Sequence, residues 1–237
     1  MRAHLKRRFE PAAGTGAFIF EPEQPLAFKA GQTCDIRIPE PRYQDAEGAV
    51  RTFSIASPPG SPELMFATRL TGSAFKRSLM EMPPGTVVEI DGPYGSFTLH
   101  QNAAKAAVLL AGGIGITPFR SMIADAVERN LPHDLTLVYS NRTAGSSAFI
   151  SDLEAWARAH PRFHLVATIT EPAPGEAWSH LTGLVDAAFL ARHVRADFGT
   201  AIFYVAGPDG FVKAMAASVS SAGADPDNVR TEEFAGY

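Results

Sequence analysis

Between residues 17 and 99 the apolar positions come in short, often alternating stretches. They are Ala17-Phe18-Ile19-Phe20, Thr33 to Ile38, Thr52-Phe53-Ser54-Ile55-Ala56, Leu64 to Leu70 and Val87-Val88-Glu89-Ile90. Gly31-Gln32, Pro58-Pro59-Gly60-Ser61-Pro62 and Pro83-Pro84-Gly85 divide them, and such residues favour turns. This texture predicts many short strands, hence a small antiparallel barrel or sandwich, with one short helix over Phe75 to Met82.

Beyond Asn102 the period changes. Apolar runs at Ala106–Ala111, Leu135–Ser140, Phe163–Ile169, Ala201–Ala206 and Val229–Phe234 read as strands. Helical spacing fills the intervals at Pro118–Arg129, Phe149–His160, Asp186–Arg195 and Phe211–Ala222. Alternating β and α units predict a parallel sheet with helices on both faces. The change of texture sets a first domain over 1–102 and a second over 103–237.

The run Ala106–Ala111 passes directly into Gly112-Gly113-Ile114-Gly115-Ile116-Thr117-Pro118. A run of six apolar residues suits a strand buried on both faces. Three glycines within four residues allow positive φ and leave room for a ligand against the turn. Thr117 as N-cap and Pro118 as first helical residue would aim free N–H groups at an anion, most simply a pyrophosphate. Pro118 stands where the dinucleotide fingerprint has its third glycine, and a tight structural connection is the alternative.

Composition narrows the chemistry. The 237 residues are 46% hydrophobic and 19% charged with a formal charge of -4, an ordinary globular balance without general attraction to nucleic acid or anionic lipid. The basic start, Met1 to Arg8, is followed by no signal-type apolar region, and no apolar run is long enough to span a membrane. A cytoplasmic monomer with neither nucleic-acid nor membrane partners is the expectation. Cys34 is the sole cysteine, which excludes an intramolecular disulfide, a multi-thiolate zinc site and a cysteine-ligated iron–sulfur cluster within this sequence. The seven histidines are scattered without ligand spacing, so no metal site is expected. Neither a G-x-S-x-G elbow nor a P-loop lysine is present. Redox chemistry here would require a bound organic cofactor.

Arg51-Thr52-Phe53-Ser54 lies in one of the predicted strands. Alternation puts Arg51 and Phe53 on one face and Thr52 and Ser54 on the other. A cation for a phosphate, an aromatic plane and a nearby hydroxyl suit a flavin nucleotide, and the same four residues also suit an ordinary barrel strand. The tetrapeptide resembles the R-x-Y-S flavin motif of the ferredoxin–NADP⁺ reductase family. Gly72-Ser73, Gly92-Pro93-Tyr94-Gly95, Gly112 to Pro118, Ala206-Gly207-Pro208 and Glu232-Glu233-Phe234 follow in that family's order, so the resemblance runs over essentially the whole chain.

The resemblance implies an N-terminal antiparallel Greek-key β-barrel that binds FAD, followed by a parallel-sheet α/β nucleotide-binding domain. It implies that Arg51 binds the flavin phosphate, that Thr52 and Phe53 line the flavin, and that Ser54 bonds near its reactive N5. Gly72, Ser73 and Ala74 would offer N–H groups to the FAD pyrophosphate, with Lys76 as a point charge where relatives carry a hydroxyl. Gly113, Gly115, Thr117 and Pro118 would hold the pyridine nucleotide, with Gly207 and Pro208 beside its nicotinamide ribose. Ala206 replaces a cysteine common in the family. Glu232 and Phe234, with Ser54, would form the catalytic end, and either Phe234 or Tyr237 would cover the flavin. Ser140 and Arg142 favour NADPH through the 2′-phosphate, while an Arg142 that stacks on adenine or faces solvent leaves NADH open. The implied activity is hydride transfer between NAD(P)H and tightly bound FAD, then single-electron transfer to a ferredoxin or flavodoxin. A single-cofactor electron-transfer subunit and the reductase component of an oxygenase are the alternatives. Arg2, Lys6, Arg7, Arg8, Lys76 and Arg77 offer a basic surface to an acidic acceptor, or simply a solvated face.

Overall fold

In the first half, alternate residues of successive strands meet in one apolar cluster. Leu5 of β1 (Arg2–Ala12), Phe18 and Phe20 of β2 (Thr15–Pro22) and Ile36 of β3 (Thr33–Arg37) pack with Phe66 of β5 (Leu64–Arg69) and Ile90 of β6 (Val87–Tyr94). With β4 (Val50–Ser54) they form an antiparallel sheet in the order β4-β3-β6-β1-β2-β5, a Greek-key path. Beyond its two ends the chain closes on itself, since Ala56 N–H donates to Met65 O at 2.7 Å. Helix α1 (Ala74–Glu81) begins at Ser73, whose Oγ accepts from Lys76 N–H, and buries Phe75 and Leu79 in the same cluster. The computed structural model describes residues 1–234.

The second half is a parallel sheet in the order β10-β9-β8-β7-β11-β12. Its strands are β7 (Ala107–Gly112), β8 (Leu135–Asn141), β9 (Phe163–Ile169), β10 (Leu181–Thr182), β11 (Ile202–Pro208) and β12 (Val229–Phe234). All six residues of β7 are buried, as an apolar run at a sheet centre requires. Helices α2 (Ile116–Glu128) and α3 (Ile150–Ala159) cover one face through Phe119, Ile123 and Leu153. On the other face lie α4 (Ala187–His193) and α5 (Asp209–Ser221), with Leu190, Val212 and Met215. Among the described residues no helix is long and apolar enough to cross a membrane.

Three elements depart from the pattern-based expectation. Strand β1 is absent from it because its outward positions are basic and just Ala3 and Leu5 are fully buried. Strand β10 is a two-residue edge, too short to leave a period. Helix α2 starts at Ile116 after a 3-10 turn over Gly113–Gly115, so Pro118 lies inside its first turn and Thr117 is not the cap. Thr117 Oγ1 instead donates back to Ile114 O at 3.1 Å.

Candidate active site

A cavity of about 590 Å³ opens where β4, β5, the start of α1, the turn before α2 and the end of β12 converge. It brings together Arg51, Thr52, Phe53, Ser54, Ser73, Lys76, Thr117, Glu232 and Phe234 from far-separated segments. Tyr237 lies outside the described residues. The remaining positions singled out from sequence, namely Gly72, Ala74, Gly113, Gly115, Pro118, Ser140, Arg142, Gly207 and Pro208, do not line it.

At one end of the cavity two polar atoms have no hydrogen-bond partner among the described residues. Ser54 is 4% exposed with its Oγ unbonded, and Glu232 Oε2 is likewise buried and unbonded. Burial alone pushes the Glu232 carboxyl up to about 7. A buried hydroxyl and a carboxyl that titrates near neutrality are unusual to leave unpaired, since each such group costs stability. Phe234, two residues on, lines the same space.

The other end is cationic, and the chain's own carboxylates occupy it. Arg51 Nη2 donates to Glu47 Oε2 at 2.5 Å and lies 3.7 Å from Asp45 Oδ1. Its Nη1 donates to the carbonyls of Glu47, Gly48 and Val50. Asp45 Oδ2 also accepts from Ala74 N–H at 2.9 Å, and Ser73 N–H donates to Thr71 O. Two of the N–H groups expected to be free at the start of α1 are therefore engaged. The carboxylate takes that position because helix N-termini attract anions. Lys76 Nζ donates to Thr71 Oγ1 at 3.0 Å, and burial first, then the charge of Arg51, lowers its pKa. Phe53 packs against Phe75 at 5.9 Å between ring centres, and the Arg51 guanidinium lies over the same Phe75 ring at 5.4 Å. Thr52 Oγ1 donates to Asp35 Oδ1.

Sequence reasoning missed Asp45, Glu47 and Arg69. Arg69 lines the cavity and donates to Ala13 O and Thr15 Oγ1, both at 3.0 Å. The Asp45-Ala46-Glu47 triplet just before Arg51 was the available signal for the first two.

Around the turn between β7 and α2 the glycines divide by purpose. A Cβ on Gly115 would stand 2.1 Å from Ala206 O, so that glycine serves the close approach of β11 to the turn rather than a ligand. Gly113, at φ +54°, has open space where its Cβ would be. Gly207 lies against Gly112, and Pro118 is buried within α2. Ser140 and Arg142 stand at the carboxyl end of β8, outside the cavity. The Arg142 side chain is 82% exposed, with its Nε 4.0 Å from Glu171 Oε1. Beside it the Glu176 carboxylate accepts from Ala144 N–H at 2.8 Å and Gly145 N–H at 3.3 Å.

The family model for the oxidoreductase NAD-binding domain matches residues 109–217. The chain is 32% identical over 181 residues to ferredoxin–NADP reductase B of Sorangium cellulosum, covering 76% of this chain and 68% of that protein. It is 26% identical over 213 residues to terephthalate 1,2-dioxygenase reductase component 1 of a Comamonas species, covering 88% and 60%. Against several such curated relatives the chain spans about three-fifths of their length. Among solved structures it superposes on the flavohem-like FAD/NAD binding domain of nitric oxide dioxygenase from Vibrio cholerae with a TM-score of 0.86. That match covers 98% of both chains at 18% identity.

Proposed function

The chain belongs to the ferredoxin–NADP⁺ reductase-like family of oxidoreductases, and from that premise we propose that it binds FAD and NAD(P)H and reduces a separate electron acceptor. When bound, FAD supplies the exchange between a two-electron hydride and single electrons. The observation that carries this reading is the pair of unpartnered groups, Ser54 Oγ and Glu232 Oε2, lining one cavity with Arg51 at its other end.

Each residue then has a task. Arg51 and the start of α1 hold the flavin phosphates once Asp45 and Glu47 release them, with Lys76 adding charge. Thr52 and Phe53 line the flavin, and Phe234 covers it. Ser54 supplies a hydroxyl at the reactive end, and Glu232 holds or releases a proton there at neutral pH. Gly113 and Thr117 face the coenzyme, with Gly115, Pro118, Gly207 and Pro208 shaping the turn beside it. Against the NADPH expectation from Ser140 and Arg142, Glu171 beside Arg142 and Glu176 on the Ala144 and Gly145 N–H groups favour NADH, because carboxylates repel a 2′-phosphate and accept from a 2′-hydroxyl.

With one cysteine in the sequence, any iron–sulfur acceptor lies outside it. A ferredoxin or flavodoxin is the acceptor we favour; the likeness to an oxygenase reductase component supports an oxygenase system as a second reading. The proposal includes the division at residues 1–102 and 103–237 and a cytoplasmic, monomeric protein.

Anaerobic visible spectra of the purified chain with FAD, before and after NADH or NADPH, test it. Flavin bands that bleach, faster with NADH, are expected. A chain that binds FAD but is reduced by neither coenzyme is a single-cofactor subunit, and one that takes up no FAD ends the flavoenzyme reading.

A further inference from the structure

Ser54 at the end of β4 and Thr117 in the first turn of α2 line the same cavity, so their separation depends on how the barrel is held to α2. Arg120 lies one helical turn beyond Thr117 and is 9% exposed, with its guanidinium directed away from its own helix. Its Nη1 donates to Ala56 O at 2.9 Å, two residues past Ser54. Its Nη2 donates to Asp152 Oδ2 of α3 at 2.7 Å. The rings of Phe149 and Trp156 flank the charge at 4.8 and 5.3 Å. The next residue, Ser121, is fully buried and its Oγ donates to Ser57 O at 2.7 Å. Two consecutive side chains of α2 thus grip two consecutive carbonyls at the exit of β4.

The other edge of that exit is equally fixed. Ala56 N–H donates to Met65 O, and Ser57 Oγ accepts from Met65 N–H at 3.1 Å. Residues 55–57 are therefore clamped between β5 and α2. Among the described residues Arg120 Nε has no partner, so one donor of an otherwise paired guanidinium stays unmet. A guanidinium is nevertheless suited to the place, because its rigid planar fork reaches two acceptors on different elements from two separate nitrogens.

We propose that Arg120, seconded by Ser121, is the positioning residue that sets Ser54 against Thr117, and so fixes the approach of flavin and nicotinamide for hydride transfer. The catalytic consequence rests on the function proposed above; the clamp itself needs no ligand. A misplacement near 1 Å is enough to slow a transfer of this kind by about a hundredfold.

Arg120→Met keeps an apolar stem between Phe149 and Trp156 and removes both donors. In the full chain without added flavin, amide hydrogen exchange at Ile55, Ala56, Ser57 and Met65 should accelerate while β7 to β9 keep their protection. In the flavin-loaded chain the hydride-transfer step, followed by anaerobic stopped flow, should fall at least about tenfold. FAD and coenzyme dissociation constants should stay within about twofold, with a larger primary deuterium isotope effect and partial recovery in Arg120→Lys. Should Arg120→Met fail to fold, Ser121→Ala carries the same test on the second contact. Unchanged exchange at residues 55–57, or transfer as fast as in the parent, overturns the proposal. A parent chain that takes up no flavin overturns instead the reading it rests on, and the exchange result still decides whether the clamp exists.

Discussion

The two ends of the cavity are built on opposite principles. Around Arg51 the charges have found partners within the chain: the guanidinium on Glu47 and Asp45, and the Ala74 N–H at the start of α1 on Asp45. Around Ser54 and Glu232 the buried oxygens have found none among the described residues. A satisfied charge cluster exchanges partners when a stronger anion arrives, at modest net gain, because each new contact replaces an old one. An unsatisfied buried group keeps its full cost in the folded chain and is relieved by whatever fills the space. Under the proposed function the first is the end that grips and the second the end that reacts.

The largest effect should come from the reactive end. Because burial raises the Glu232 carboxyl to about 7 from 4.5, the folded chain holds that proton more tightly than the unfolded one. Its contribution to stability is full below about pH 4.5 and is lost as pH rises through about 7. Glu232→Gln should remove this dependence, gaining up to about 3 kcal/mol relative to the parent at pH 8 and little at pH 4.5. Urea midpoints at the two pH values measure it, and parallel curves for the two proteins would mean that Glu232 is solvated.

The next largest belongs to the gripping end. Arg51→Ala should weaken FAD by about 2 kcal/mol, roughly thirtyfold in dissociation constant, through loss of a charge-assisted phosphate contact. Unaltered affinity in a flavin titration would remove Arg51 from the site.

Smallest and opposite in sign is Asp45→Asn. The amide oxygen still accepts from Ala74 N–H, but the competing charge is gone, so FAD should bind roughly threefold more tightly at low salt. Weaker binding would instead make Asp45 a support of the site rather than a placeholder for the phosphate.

How much of this was legible follows from how local each cause is. The strands of the parallel sheet announce themselves because burial on both faces forces continuous apolar runs, and β9 falls on its predicted residues 163–169. In β1 an outward face of lysine and arginine hides the strand, although its inner contacts hold the barrel together. Arg51, Ser54, Glu232 and Phe234 could be singled out because each sits in a short motif. Asp45 reaches Ala74 across 29 positions and Arg120 reaches Ala56 across 64, and no period or spacing encodes partners that only the folded approach of two elements creates. The misassigned cap at Thr117 has a local cause: the 3-10 turn over Gly113–Gly115 lets the helix start two residues earlier than its proline suggests.

Among the described residues strand β12 is an edge strand, bonded to β11 alone, and it carries Glu232 and Phe234 into the cavity. Edge elements open at lower free energy than the strands between neighbours. On gentle warming this strand is expected to fray before either core melts, withdrawing Glu232 and Phe234 from the cavity while the barrel and the central strands stay folded.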